Sequence, residues 1–351
     1  MSETKTITMS ARQFDQLRKI IYERAGIHFP DAKKYVLESR LGRRLEELEI
    51  EDYDQYVQFL TIGPYKDDEF QEMFNKITIN ETSFFRNEPQ LEVFEKQVLP
   101  KLIEARAGNK RLRVWSAACS TGEEPYTLAM IIHRSLGVRL MDWRVEVLAT
   151  DISEKVLTDA QGGRYTDYSM RTTSPLVKQR YFKQDGPYWV VDPTIKSMVN
   201  FDLHNLKDRM AAKRYGTWDV IFCRNVMIYF DDTMKALVVG GFGDQLASDG
   251  WLFIGHSETL RGLNTPFVQT TVSHGFCYQK GVPTPGSTPG STFGSSHGSS
   301  HGSSLGIAPA HVHAHAHGVK PVAGGALAAV QAALKGTAPS AKPATTGLKL
   351  T

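Results

Sequence analysis

The sequence predicts an α/β protein, in which a mostly parallel sheet with crossover helices is closed by an antiparallel edge hairpin and preceded by a small all-α region. Three observations predict it. From Arg111 onward, short apolar runs alternate with helical stretches; before that residue, apolar positions recur at helical spacing; and after Lys280 the composition turns abruptly to Gly, Ser and Pro. A chain of 351 residues, 41% hydrophobic and 23% charged, can bury a full core of two domains even with such a tail set aside.

In the amino-terminal part, Phe14, Leu17, Ile20 and Ile21, then Leu37, Leu41, Leu45 and Leu48, then Met73, Phe74 and Ile77 mark the apolar faces of successive helices. Lys33, Arg40 and Arg44, spaced by seven and four, share a different face from the leucines, and Arg43 widens it. Apolar runs at 112–117, 145–150, 199–203, 218–223 and 251–255, separated by helical stretches, are the mark of a parallel sheet with crossovers. Residues 267–279 read as the closing hairpin, with Ser273, His274 and Gly275 as turn candidates. The string GPYWVV before the third run reads as a short strand in a small β insertion at 180–199. The expected division is a helical domain at 1–80, the sheet domain at 81–280 and a tail at 281–351. That tail buries too little apolar surface to offset its ordering entropy and is expected to be disordered.

Composition excludes several classes. No apolar run reaches the ~18 residues of a membrane span, and MSETKTITMS lacks the apolar centre of a signal peptide, so a cytoplasmic protein without membrane insertion is expected. Three scattered cysteines, Cys119, Cys223 and Cys277, supply neither a disulfide framework nor a zinc site. His311, His313, His315 and His317 alternate in the tail and read as an adventitious metal binder, so no functional metal is expected. A net charge of +3 gives no reason to expect a nucleic-acid partner.

The string LRVWSAACSTGEEPY at 112–126 is the most informative in the chain. An apolar run breaks into small residues, where backbone approaches a ligand closely, and then into Glu123 and Glu124, which repel phosphate and welcome hydroxyls or a cation. An ordinary strand-to-helix turn reads similarly, and the neighbouring strand ends decide. Asp151 ends the second run, where a carboxylate accepts from both hydroxyls of a ribose. Asn205 follows the third run, and Arg224 and Asn225 follow the fourth. Polar groups converging from four consecutive strand ends describe a switch-point ligand site.

The strings ITINETSFFR, WSAACSTGEEPY, ATDIS, IFCRNVMIYF and IGHSETL, in this order, resemble the chemotaxis receptor methyltransferase (CheR) family, over about residues 14–278. The resemblance implies a class I, Rossmann-like S-adenosylmethionine-dependent methyltransferase domain behind the helical one. The implied activity is glutamyl methyl ester formation on the cytoplasmic signalling helices of chemoreceptors, with S-adenosylhomocysteine as product and a location at receptor arrays. It further implies cofactor contacts at Asn80, Thr82, Arg86, Glu124, Asp151, Asn205, Leu206, Asn225 and Val226. Arg86 and Tyr229 match positions near the reacting methyl, and the basic helix of Lys33, Arg40, Arg43 and Arg44 matches the one that docks the receptor.

The residues make chemical sense of that implication. A glutamate carboxylate, with a pKa of ~4.3, is already ionised at neutral pH and attacks a methyl group without a general base. Positioning and exclusion of water are what the site must supply. The planar fork of Arg86 suits a carboxylate, that of the cofactor or of the acceptor. The segment after the fourth run, CRNVMIYF, lacks the Asp/Asn-Pro-Pro-aromatic turn of amine-directed methyltransferases. One departure from the family stands out: its members that tether to a receptor's carboxyl-terminal peptide use a glycine-containing loop, and here YFKQDGPYWVV is shorter with Gly186 as its one glycine. Docking without a peptide tether is therefore expected.

Overall fold

The computed structural model describes residues 7–62, 66–272 and 275–281. Residues Met1–Val282 group as one compact unit. The expected tail, its histidine tract and the turn residues Ser273 and His274 lie outside the described residues; Gly275 opens the last strand.

The amino-terminal part folds into α1 (Ala11–Ala25), α2 (Lys34–Glu47), α3 (Tyr53–Ile62) and α4 (Lys66–Ile77). Ser10 and Gln13 form a reciprocal capping box at the start of α1, and Gly26 ends it at φ 72°. A side chain at Gly26 would be strained at that φ, and its Cβ would lie 2.4 Å from the Met234 sulfur, so Met234 would have to move. Leu37, Leu41 and Leu45 are fully buried as their spacing predicts.

Helices α5 (Glu88–Val93) and α6 (Leu99–Ala105) lead into β1 (Arg111–Ala117), α7 (Glu123–Leu136), β2 (Arg144–Asp151) and α8 (Glu154–Gly162). Next come β3 (Arg164–Tyr165), α9 (Pro175–Tyr181), β4 (Phe182–Asp185), β5 (Tyr188–Val191) and α10 (Pro193–Lys196). The chain closes with β6 (Val199–Leu203), α11 (Arg209–Ala212), β7 (Trp218–Cys223), α12 (Asp232–Gln245), β8 (Leu246–Ile254), β9 (Phe267–Val272) and β10 (Gly275–Lys280). The seven-stranded sheet has the order β6-β2-β1-β7-β8-β10-β9. Strands β6, β2, β1, β7 and β8 are parallel, and β10 and β9 add antiparallel. This is the doubly wound sheet of class I methyltransferases with its edge hairpin, and the chain reverses direction across the sheet at β1, where ligand sites form.

Both faces of the sheet are covered. Val114, Val147, Val220 and Phe222 pack into one apolar cluster, and Trp115, Leu148, Ile221 and Leu252 into another. That is why the central strands read as continuous apolar runs. Two expected boundaries shift. The small sheet has the order β3-β5-β4 and so begins at Arg164, not at 180, because a two-residue strand carries no alternation to read. Val199 pairs with Val147 and belongs to the main sheet.

Candidate active site

A cavity of about 560 Å³ opens at the carboxyl ends of β1, β2, β6 and β7. Its other walls are the α1–α2 connection, including Ile27, His28 and Phe29, and the 77–86 segment between α4 and α5. Asn80, Thr82, Arg86, Glu124, Asp151, Asn205, Leu206, Asn225, Val226 and Tyr229 all line it, and so do Lys33 and Arg40.

The floor is a buried polar network. Asp151 is 8% exposed; its Oδ2 accepts the Ser120 N–H at 2.9 Å and its Oδ1 the Ser153 N–H at 3.1 Å. Burial pushes its carboxyl pKa up, against the pull of those N–H groups. The loop between β1 and α7 holds Ala118 and Ser120 at φ 65° and 51°, left-handed values that side-chain-bearing residues adopt at a cost. The Cys119 N–H anchors the loop on Thr150 O at 2.9 Å. Glu124 accepts from Ser116 Oγ at 2.7 Å and from Arg224 Nη1 at 3.2 Å. Arg224 Nη2 donates to Arg86 O at 2.7 Å, so one buried guanidinium joins the first strand end to the Arg86 segment. Burial raises the Glu124 carboxyl and lowers the Arg224 guanidinium relative to their ordinary values, each partner opposing the other's shift.

On the opposite side, Arg86 donates through Nη1 to Glu81 O at 2.9 Å. Tyr229 is half-buried, and burial pushes its hydroxyl pKa up. Its backbone carbonyl accepts the His28 N–H at 2.8 Å, which pins the α1–α2 connection over the cavity. The Asn205 amide is engaged at both ends: Nδ2 donates to Arg24 O at 2.6 Å and Oδ1 accepts the Lys207 N–H at 3.0 Å. Lys207 Nζ also donates to Tyr22 O at 3.0 Å, which already accepts the Gly26 N–H, so the loop after β6 is tied to the last turn of α1.

Three expectations need correction. Glu123, read as facing the ligand beside Glu124, is buried at 2% exposure and held by Thr121 Oγ1 at 2.7 Å and Ser169 Oγ at 2.9 Å, outside the cavity. Adjacent helix residues diverge by about 100°, so two neighbouring carboxylates do not share one ligand. Arg44, read as a docking residue, donates to Glu69 at 3.0 and 2.7 Å, and Glu69 also accepts from Tyr56 Oη at 2.7 Å. It is an internal tie between α2 and α4. Lys33 belongs to the turn Asp31–Lys33 before α2, and Arg43 is exposed but does not line the cavity. Arg40 donates to Ile77 O at 2.7 Å, so it shapes the wall it lines.

Sequence reasoning missed His204 and Glu258. His204 is 5% exposed and lines the cavity against Trp115 and Tyr215; burial lowers its pKa and favours the neutral ring. Its place beside Asn205 at a strand end was the available signal. Glu258 accepts backbone N–H groups from the turn after β7, and nothing in local spacing announces a partner some thirty residues earlier.

Residues 12–78 match the model for the CheR methyltransferase all-alpha domain, and residues 80–276 that for the CheR methyltransferase SAM binding domain. Chemotaxis protein methyltransferase 1 of Pseudomonas aeruginosa is 37% identical over 270 residues, 76% of this chain and 97% of that protein. The chemotaxis protein methyltransferase of Escherichia coli is 37% identical over 270 residues, 75% of this chain and 90% of its own length. That of Borreliella burgdorferi is 36% identical over 261 residues, 73% of this chain and 91% of its own length. With the two domain models matched in succession over residues 12–78 and 80–276, around a switch-point cavity, the chain belongs to the CheR methyltransferase family and uses S-adenosylmethionine as its methyl donor.

Proposed function

We propose that the protein methylates glutamate side-chain carboxylates on the cytoplasmic signalling helices of chemoreceptors, giving glutamyl methyl esters and S-adenosylhomocysteine. The observation that carries the reading is one cavity lined both by the buried acids of the strand ends and by Arg86, Tyr229, Arg40 and Lys33. The donor set fits the cofactor. Asp151 keeps lone pairs beyond its two backbone bonds for ribose hydroxyls, and Glu124 and Asp151 are anions suited to a cationic ligand. Among the described residues the buried Arg224 Nε has no partner, a donor left for the ligand or its water.

When bound, the cofactor supplies an electrophilic methyl group on a positive sulfur. The chain's residues do the rest. In this reading Asn80, Thr82, Asn205, Leu206, Asn225 and Val226 line the cofactor's place, and Arg86 holds a carboxylate through its free fork. Tyr229 orients the acceptor oxygen through its hydroxyl, which is protonated at neutral pH and able to donate. No side chain is required as general base, because the acceptor arrives ionised. Lys33, Arg40 and exposed Arg43 attract an acidic helix.

The β4–β5 hairpin turns through Gly186 at φ 58° and Pro187, with no longer loop for a peptide to pair with; we assign docking to direct helix contact, without tether or nucleic acid. In this reading residues 1–80 dock the substrate and residues 81–280 carry the chemistry. The protein works in the cytoplasm at receptor arrays. The reading is tested by incubating protein, methyl-labelled S-adenosylmethionine and receptor-containing membranes and mapping the label by peptide mass spectrometry. Label on receptor glutamates supports it, and label on lysines or nucleic acid refutes it. A receptor-tail peptide binding at micromolar affinity would overturn the tether-free docking.

A further inference from the structure

The turn after β7 carries both Asn225 and Tyr229, and a single carboxylate from the next parallel strand end holds it. Glu258 lies just beyond β8 and is 7% exposed. Its Oε2 accepts the Asn225 N–H at 3.0 Å and the Gly255 N–H at 2.5 Å, and its Oε1 accepts the Ile228 N–H at 3.2 Å. The Glu258 N–H donates to Gly255 O at 2.9 Å, so the chain folds back beneath its own carboxylate. Both oxygens are engaged, and they grip the turn at two separate points with charge-assisted bonds.

Two further features show that the grip constrains the turn. Asn225 sits at φ 62°, a left-handed conformation that a side-chain-bearing residue holds only when its surroundings fix it. Gly255 makes room for the clasp, since a Cβ there would lie 2.7 Å from Glu258 Oε2 and 2.9 Å from the Asn225 nitrogen. Glu258 itself does not line the cavity, so any effect on chemistry passes through the backbone it holds.

We propose that Glu258 is a positioning residue for methyl transfer. Through the N–H groups of Asn225 and Ile228 it sets the turn so that Asn225 on the cofactor side and Tyr229 on the acceptor side face the cavity in register. The inference rests on the acceptor-side role given to Tyr229 above. A clasp that served stability alone would lower the melting temperature and leave the chemical step of folded protein intact.

The test uses the full chain and the variants Glu258→Gln, Gly255→Ala, Tyr229→Phe and the double variant Glu258→Gln/Tyr229→Phe. Glutamine keeps one acceptor and presents an amide to the turn's donors; alanine opens the same clasp from the opposite side and serves if the first variant does not fold. Amide hydrogen exchange should show Asn225 and Ile228 losing about tenfold or more of their protection in both clasp variants, while Ile221 and Phe222 in β7 keep theirs. Single-turnover transfer to receptor-containing membranes at saturating cofactor should fall about 10- to 100-fold in each, the scale of an ångström-sized misplacement. The double variant should be no more than about threefold slower than Tyr229→Phe, because the two residues act as a unit. Unchanged exchange, an unchanged saturated rate, or losses that multiply in the double variant would overturn the proposal. If the unaltered protein transfers no methyl to membranes, the acceptor reading fails, while the exchange arm still decides whether Glu258 fixes the turn.

Discussion

At the scale of single residues, the cavity sets buried anions at the strand ends against arginines that join them to the opposite wall. Arg86 keeps most of its fork free after one bond to Glu81 O, so Arg86→Ala should lower kcat/KM by about 100-fold or more, as loss of an aligned charged donor does. S-adenosylhomocysteine calorimetry on the same variant assigns the fork: an affinity within about threefold of the unaltered protein places it on the acceptor, and a larger loss on the cofactor. The pH dependence follows from Asp151 and Glu124, whose carboxyls burial raises above their ordinary values. A ligand that needs the anions loses affinity as pH falls, starting above the range of an unshifted carboxylate at ~4. For folding the sign is opposite. A raised folded-state pKa contributes stability that is full below the unfolded value and lost as pH rises through the folded one. Acidification should therefore weaken S-adenosylhomocysteine binding while protonation of these two groups adds to the stability of the fold, which calorimetry and thermal melts from pH 7 downward will separate. Asp151, Glu124 and Asn225 were legible because each ends an apolar run or follows one within a few residues. Glu123 and Glu258 were not, because side-chain direction and long-range partners leave no trace in local spacing.

At the scale of elements, α2 and the turn before it divide their basic residues between two tasks. Arg44 is 17% exposed at its side chain and pairs with Glu69 at 3%. Arg44→Ala leaves that carboxylate with Tyr56 alone and should cost about 3–5 kcal/mol of stability. The loss would appear in denaturant melts. Lys33 and Arg40 line the cavity instead. Lys33→Gln with Arg40→Gln should raise the KM for receptor several-fold, with the difference shrinking as salt rises. Helical periodicity told which residues share a face, but not which face a neighbouring helix covers. Residues 218–223 were easy to read as a strand because every position of β7 is buried. The start of β8 was hidden by Ser248, Asp249 and Gly250, which interrupt its apolar run.

At the scale of the molecule, the helical part and the sheet build one cavity together. The α1–α2 connection reaches Tyr229 through His28, the loop after β6 holds the end of α1, and Asn75 of α4 accepts from Ser153 Oγ at 2.5 Å. Order of elements and strand runs made the wound sheet readable from the chain, since a parallel sheet covered on both faces has few other solutions. The closure of the helical part over the strand ends was not, because it rests on backbone carbonyls and caps. In the proposed reaction this shared cavity brings an ionised glutamate to the cofactor's methyl group. The most direct test is alkali lability: receptor-containing membranes labelled with methyl-labelled S-adenosylmethionine should release the label as volatile methanol at high pH. Label that stays on the protein after alkali would contradict the claim.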